Sequence, residues 1–419
     1  MRFKLVRWLS RPGEYDGFPL KFFSIARKRE SLFMPHALRF SALLLCSLFP
    51  LAGLNQAAAG QATAGQATQV QPAPASAPPA PSAPAPPTPA AATPGEIHLN
   101  VVVTDRSGKP VAGLTAADFT VLDNNQPSKI LSFAAYDAPA SLPPNPVQVI
   151  ILFDTVNADF NTVSYTRQQV SSFLRRNGGH LAQPVTLAFL TNTNIDPQGP
   201  PSLDGNALAS ALDSSSSRLR TIGNSAGAYG AIERMEISSR LLDDLLHNET
   251  PVPGRKLLIW ASPGWPMLDS PSINISLKGQ QSIFASIVRL NTELRQAQVD
   301  LYSVSQGMPT SETFVYQSFL KGVKKVAQAQ IPDVNLKVLA VQSGGLALAP
   351  TNDVASSLDT CIRDAATYYS ISFAPPPADG PDEYHKLDLR LDKPGLTART
   401  NASYYNQPAG AEDRVPAGR

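Results

Sequence analysis

The sequence predicts an α/β fold: a doubly wound, Rossmann-like parallel sheet, flanked by an antiparallel β-sandwich formed from N- and C-terminal strands. Three observations predict it. Through residues 145–376, apolar runs of strand length alternate with amphipathic helical stretches, the pattern of βαβ units and of a sheet covered on both faces. Residues 96–140 and 383–406 alternate apolar with polar positions, the period of half-buried strands. A Pro/Ala-rich stretch at 60–95 separates all of this from an apolar leader.

The leader occupies residues 1–59. Arg39 precedes a mostly apolar run from Phe40 to Leu54, and Ala57, Ala58 and Ala59 offer a small-residue cleavage site, so the stretch reads as a secretory signal peptide. The run is shorter than the ~20 residues of a spanning helix, so no permanent membrane span is expected after cleavage. Met34, just ahead of it, is an alternative start. Gly60 to Gly95 is nearly all Ala, Pro, Gln, Thr, Ser and Gly, with ten prolines; it cannot bury a core and reads as a semi-stiff tether. Residues 407–419 read as a disordered tail.

Charge and cysteine content exclude some functions. Of the 35 Lys/Arg and 33 Asp/Glu, nine and three fall in residues 1–59, so the remainder is mildly acidic. No basic stripe follows a phosphate backbone, which disfavours nucleic-acid binding. Cys46 lies in the leader, so the exported chain keeps the single thiol of Cys361, and no Cys/His pair has zinc-ligand spacing.

The elements follow in order. Ile97, Leu99, Val101 and Val103 alternate along a strand that ends at the turn signal Asp105 to Gly108. Phe119 to Val121 and Ile130 to Phe133 add strands to a small antiparallel unit, with a turn at Asp123 to Asn125. Val147 to Phe153 is a continuous apolar run ending at Asp154; Val163, Val170, Phe173 and Leu174 then share a helical face that stops at Asn177 and Gly178. Val185–Leu190, Leu257–Trp260 and Val299–Val304 are further buried strands, separated by helices over 229–247 and 282–297. Leu346 to Ala349 and Tyr368 to Phe373 flank one more helix, inside the 145–376 layer. Leu387, Leu389 and Leu391 open a C-terminal hairpin with a turn at Lys393 to Gly395; two strands alone are marginal, so the hairpin is expected to pack on the N-terminal strands.

This order of segments resembles the von Willebrand factor type A domain, more narrowly the VWFA-related proteins of the acidobacterial type. The segments that carry it are VVVTDRSGKPVAGLTAADFTVLDNNQPSKILSF, VQVIILFDT, GRKLLIWASPG, LDTCIRDAATYYSISFAPP and YHKLDLRL, within residues 96–405. The resemblance implies a metal-ion-dependent adhesion site, in which Asp-x-Ser-x-Ser, a loop Thr and a later Asp hold Mg²⁺ and leave one position for a partner's carboxylate. Carried over, Asp154 matches the first Asp, but the two Ser positions are Val156 and Ala158. The later Thr-Asp-Gly becomes Ser262-Pro263-Gly264, and Ser225 stands loosely for the loop Thr. The site is therefore expected to be degenerate, with no cofactor; Asn157 and Asp159 are the oxygen donors that would have to help Asp154 if Mg²⁺ were kept. The other reading of Asp154 is a cap that bonds nearby amides at the strand–helix turn.

An enzyme reading competes. Gly223-Asn224-Ser225-Ala226-Gly227 fits the elbow of serine hydrolases, which needs a strained strand-to-helix turn, a His and an acid. The residues before it are polar and build no buried strand, and His247 falls inside the following helix. His385, with Asp359 or Asp364, is late enough in order but lies in the alternating hairpin. The sequence therefore favours an exported, non-enzymatic binding protein, periplasmic or at the cell surface, with a protein or cell-surface polymer as partner. The candidate binding residues at the carboxyl edge of the sheet are Asp154, Thr155, Asn157, Asp159, Ser225, Ser262 and Trp265. A secreted serine hydrolase using Ser225 and a structural cell-envelope component are the alternatives.

Overall fold

The computed structural model describes residues 95–137, 147–215, 227–265, 267 and 275–408. The leader, nearly all of the 60–95 tether, Ser225 and most of the 407–419 tail lie outside them.

Four strands come first: β1 (Ile97–Thr104), β2 (Phe119–Asp123), β3 (Gln126–Ser128) and β4 (Ile130–Asp137). Asn124 and Asn125 adopt φ of 48° and 66°, the left-handed pair that a two-residue hairpin turn between β2 and β3 requires. Then come β5 (Gln148–Asp154), α1 (Phe160–Leu174), β6 (His180–Leu190), the short β7 (Ile195–Pro197) and β8 (Ser202–Asp204), α2 (Gly205–Ser214) and α3 (Gly227–Glu249). β9 (Lys256–Ala261), α4 (Leu277–Gln296), β10 (Val299–Val304), α5 (Leu336–Gln342) and α6 (Val354–Ala366) follow. The last strands are β11 (Thr367–Phe373), β12 (Glu383–Leu391), β13 (Thr397–Arg399) and β14 (Ser403–Asn406).

These form a mixed α/β protein with three sheets. The six-stranded sheet runs β10-β9-β5-β6-β7, with β8 also on β6; β10, β9, β5 and β6 are parallel and β7 and β8 antiparallel. Its strands are apolar on both faces because both are covered. Ile150, Leu152, Leu258, Trp260 and Leu301 pack against α3, α4 and α5. Val149, Ile151, Phe153, Leu257 and Ile259 pack against α1, α2 and α6. No helix among the described residues is long and apolar enough to cross a membrane.

The other two sheets are antiparallel and four-stranded, β13-β1-β11-β4 and β14-β12-β2-β3. Leu99, Val101, Phe119, Val121, Ile371, Phe373 and Tyr404 fill the space between them. Val102 and Tyr368, on the opposite face of the first sheet, join the core beneath α1 and α6, so that sheet is buried on both sides.

Three sequence expectations change here. Residues 368–373 do not extend the parallel layer: β11 pairs antiparallel with β1 and with β4. Its alternation of Tyr369, Ile371 and Phe373 with Ser370 and Ser372 is a sandwich period, not a continuous apolar run. Leu346 to Ala349 forms only a single parallel bridge, Ala347 to Ser303. A Cβ at Gly345 would lie 1.8 Å from Leu301 O, so only glycine lets the chain come that close to β10. The C-terminal strands are not one hairpin either. β12 pairs with β2 and β14, whereas β13 crosses to β1. The corner between β13 and β14 is fixed by Asn401, whose Nδ2 donates to Ser343 O at 3.3 Å.

Buried charge ties the layers together. Arg255, just before β9, and Asp300 of β10 leave 1% and 5% of their side chains exposed. Arg255 Nε donates to Asp300 Oδ2 at 2.8 Å and Nη1 to Asp364 O at 2.5 Å, and the guanidinium lies 4.6 Å over the Tyr368 ring. Asp364 of α6 in turn accepts from Tyr302 Oη at 2.9 Å and from Arg399 of β13. Burial opposes the charge of Arg255, but Asp300, together with Tyr302, Tyr368 and Asp364, outweighs it, so the guanidinium is held protonated more firmly than usual. Nearby, Lys256 Nζ donates to Glu249 O and Ala297 O, each at 3.0 Å, and to Val252 O, closing the C-terminal ends of α3 and α4 with one cation.

Two outcomes follow. Arg255→Ala strands Asp300 in the core and is expected to cost about 3–5 kcal/mol in urea unfolding, while Arg255→Met combined with Asp300→Leu recovers part of that loss. Glu293 of α4 is raised from an ordinary 4.5 to about 7, chiefly by burial and then by Asp243, with Arg289 opposing. Its folded form binds the proton more tightly than the unfolded chain, so its stabilisation is full below about pH 4.5 and is lost as pH rises through about 7. Glu293→Gln is expected to flatten the melting temperature over that window and to melt higher than the parent at pH 8; an unchanged profile would refute the assignment.

Candidate functional site

The parallel strands β5, β9 and β10 end along one edge, and the candidate residues collect there. β5 delivers Asp154, fully buried at the strand tip. Its Oδ1 accepts from Val156 N at 2.9 Å and Asn157 N at 2.8 Å, the amides of the turn into α1. Its Oδ2 accepts from Asn157 Nδ2 at 2.8 Å, Trp260 Nε1 at 2.9 Å and Ser262 Oγ at 3.1 Å. Five protein donors thus surround one carboxylate, about the full lone-pair capacity of that group.

The other candidates play supporting parts. Thr155 donates N–H and Oγ1–H to Leu190 O, at 3.1 and 2.7 Å, fastening the tip of β5 to β6. Asn157 reaches across to α3, where Nδ2 also donates to Ser238 Oγ at 2.7 Å. Ser262 accepts from Gly264 N at 3.0 Å, which shapes the turn after β9. Trp265 is buried and meets Trp260 edge-on at 5.7 Å. Asp159 stands apart from Asp154: it caps α1 by accepting from Thr162 N at 2.7 Å, and that backbone bond leads the causes that lower its pKa.

This arrangement does not fit Mg²⁺. Val156 and Ala158 are buried apolar side chains at the positions the resemblance assigns to serine ligands. Both Asp154 oxygens already face N–H and O–H donors, whose positive ends repel a cation. Among the described residues, no group of three or more His, Cys, Asp and Glu is placed to hold a metal ion.

The His and acid candidates of the hydrolase reading lie in separate parts of the fold. His385 lies in β12 of the sandwich, with Nδ1 2.7 Å from Asp123 Oδ1, and its ring stacks on Tyr404 at 4.7 Å. Tyr404 Oη donates to the other Asp123 oxygen at 2.5 Å. Asp364 belongs to the Arg399 network, and Asp359 pairs with Arg176 at the surface. Ser225 lies outside the described residues.

Several features of this edge went unread in the sequence. Trp260 was readable as core, but its indole had to find an acceptor once the whole strand was buried, and Asp154 is that acceptor. Ser238 carried no signal beyond its place on a helix. Phe160, Leu277, Met308 and Phe314, in the segments that follow β5, β9 and β10, are four of the six large apolar side chains exposed among the described residues. Beside them a cleft of about 620 Å³ opens, lined among others by Trp265, Met267, Thr310, Glu312, Tyr316 and Lys337.

The geometry defines a chain with a covered parallel sheet and a hydrogen-bonded strand tip. No protein-family description matches the chain, and no curated protein does. Among solved structures it is similar to proximal thread matrix protein 1 from the mussel byssus, at 11% identity over 54% of this chain and 50% of that one, with a TM-score of 0.28. It is also similar to the human COPII-coat protein Sec24c, at 10% identity over 66% of this chain and 46% of that one, with a TM-score of 0.27. The chain spans about half the length of each.

Asp154→Ala is expected to leave the Trp260 indole, the Ser262 hydroxyl and two turn amides without their acceptor. By comparison with other broken buried charge sites, the cost is about 3–5 kcal/mol in denaturant unfolding. Asp154→Asn is expected to restore little, because its amide nitrogen would face donors. A loss under 1 kcal/mol for the alanine variant would show that the donors find other partners.

Proposed function

We propose that this chain is an exported, non-enzymatic binding protein that uses a von Willebrand factor type A-like domain whose adhesion site has lost its metal. The observation that carries the reading is the Asp154 carboxylate: five protein donors occupy the oxygens that a cation would need. The doubly wound reading is supported by the order β10-β9-β5-β6 with helices over both faces. Binding is supported by the rim, where four exposed apolar side chains and a cleft stand at the carboxyl edge, the usual ligand edge of such sheets. The partner is a protein or a cell-surface polymer in the periplasm or at the cell surface, and the leader over residues 1–59 is the support for export.

Calorimetric titration of the chain with Mg²⁺ and with Mn²⁺ is expected to give no saturable heat, and neither ion is expected to raise the melting temperature. Expressed with its leader, the chain is expected to be recovered outside the cytoplasm and to sediment with envelope material. The combined Phe160→Ser and Phe314→Ser variant is expected to lose most of that sedimentation. Saturable metal binding abolished by Asp154→Ala, or covalent labelling of Ser225 by a fluorophosphonate, would overturn this reading in favour of an intact adhesion site or a hydrolase.

A further inference from the structure

The cleft after β9 leaves free groups that packing does not explain. One wall is the 3-10 segment Ser311–Phe319, which follows β10, and the other is the start of α5. Some of its polar side chains are committed to the fold. Asn335 donates through Nδ2 to Trp265 O at 2.7 Å and accepts from Lys337 N at 3.0 Å. Thr313 Oγ1 accepts from Thr310 N at 2.8 Å.

Three others are uncommitted. Lys337 Nζ, the Glu312 carboxylate and the Tyr316 phenol have no side-chain hydrogen bond or ion pair among the described residues. Lys337 is half-buried, and burial alone lowers its pKa, since no acid stands close enough to offset the desolvation. A partly desolvated ammonium without an acceptor is a cost to the free protein that a ligand anion removes. A contrasting groove between α1 and α2 has its cations occupied: Arg175 donates to Asp213 and Arg167 to Leu212 O, both at 2.7 Å.

The geometry points to this cleft as the binding site for a carboxylate-bearing saccharide, one or two uronic-acid rings of a surface glycan. The carboxylate would sit on Lys337, the apolar ring faces against Tyr316 and the edge of Trp265, and the ring hydroxyls on Glu312 and Thr310. This assignment rests on the binding-protein reading and names its ligand class. The cleft volume lies within the ~300–1,000 Å³ of small-ligand pockets. An acidic peptide fits less well. Peptides are captured by a strand edge, a long apolar groove or a backbone nest, whereas this cleft is short and lined by the 3-10 segment Ser311–Phe319, the start of α5 and the turn after β9.

The test is calorimetric titration of the full chain with tri-galacturonate. Saturable binding is expected, weakened about tenfold or more by Lys337→Met and recovered in large part by Lys337→Arg, with no binding of neutral tri-galactose. Lys337→Met removes a desolvated charge, so its melting temperature is expected to hold or rise, which separates lost binding from lost folding. No saturable heat, equal binding of the neutral sugar, indifference to Lys337→Met, or binding of tetraglutamate in place of the sugar would each overturn the assignment. Sedimentation with envelope material that tri-galacturonate does not displace would also overturn it while leaving the binding-protein reading intact. No sedimentation at all would sink both.

Discussion

A guanidinium taken out of water must meet acceptors on every side, and Arg255 meets them from three different parts of the fold. Asp300 comes from the neighbouring parallel strand, the carbonyl of Asp364 from the end of α6, and the face of Tyr368 from the sandwich strand that follows. Arg399, from β13 of the same sandwich sheet, closes on the same Asp364. The contacts of Tyr368 and Arg399 form only when the parallel layer and the sandwich are correctly docked. Apolar burial supplies most of the stabilisation of both layers, but it is tolerant of small shifts. The charged cluster is not, because a half-formed network leaves a bare charge in a dry core.

The strand tip at Asp154 obeys the same rule at smaller scale. A buried carboxylate needs either a cation or a shell of donors, and this chain supplies the shell. Trp260 makes the difference: its indole N–H comes from the adjacent strand, exactly one residue pair across the sheet from the region of Leu152, and so is held rigidly toward Oδ2. Ser262 and Asn157 complete the set from the two loops that follow β9 and β5. The result is a rim held by hydrogen bonds from two strands and two loops. Along the same edge lie the exposed apolar side chains and the cleft, where Lys337 and Glu312 have no side-chain partner among the described residues.

Much of the fold was legible because continuous apolar runs have few alternatives. VQVIILF, KLLIWA and VDLYSV had to be strands buried on both faces, and the helices between them showed their faces through Val170, Leu242 and Ile287. Strand partners were less legible. In β11 the alternation of Tyr369, Ile371 and Phe373 with serines marks a sandwich period, but its partner is not local: the pairing is with β1, some 270 residues earlier in the chain. The split of β13 from β14 is likewise set by a distant contact, Asn401 on Ser343. At the site, the sequence marked Asp154 and Ser262 but could not supply distances. Asp159 looked like a second ligand and is a helix cap. The cleft was invisible because its residues lie in three separate segments with no shared motif.

The route of the chain through the sandwich has a consequence for the order of events during synthesis. β1 takes its neighbours from β11 and β13, and β2 takes β12, all of which emerge within the last ~60 residues of the described region. At ~5–20 residues per second, the first strands wait many seconds with open edges while the parallel layer is being made. A ribosome-bound intermediate therefore carries a finished α/β layer and unpaired β1 and β2 edges. Such edges are what a chaperone holds and what misassembly exploits, so the final residues to appear act as the latch that ends the vulnerable period.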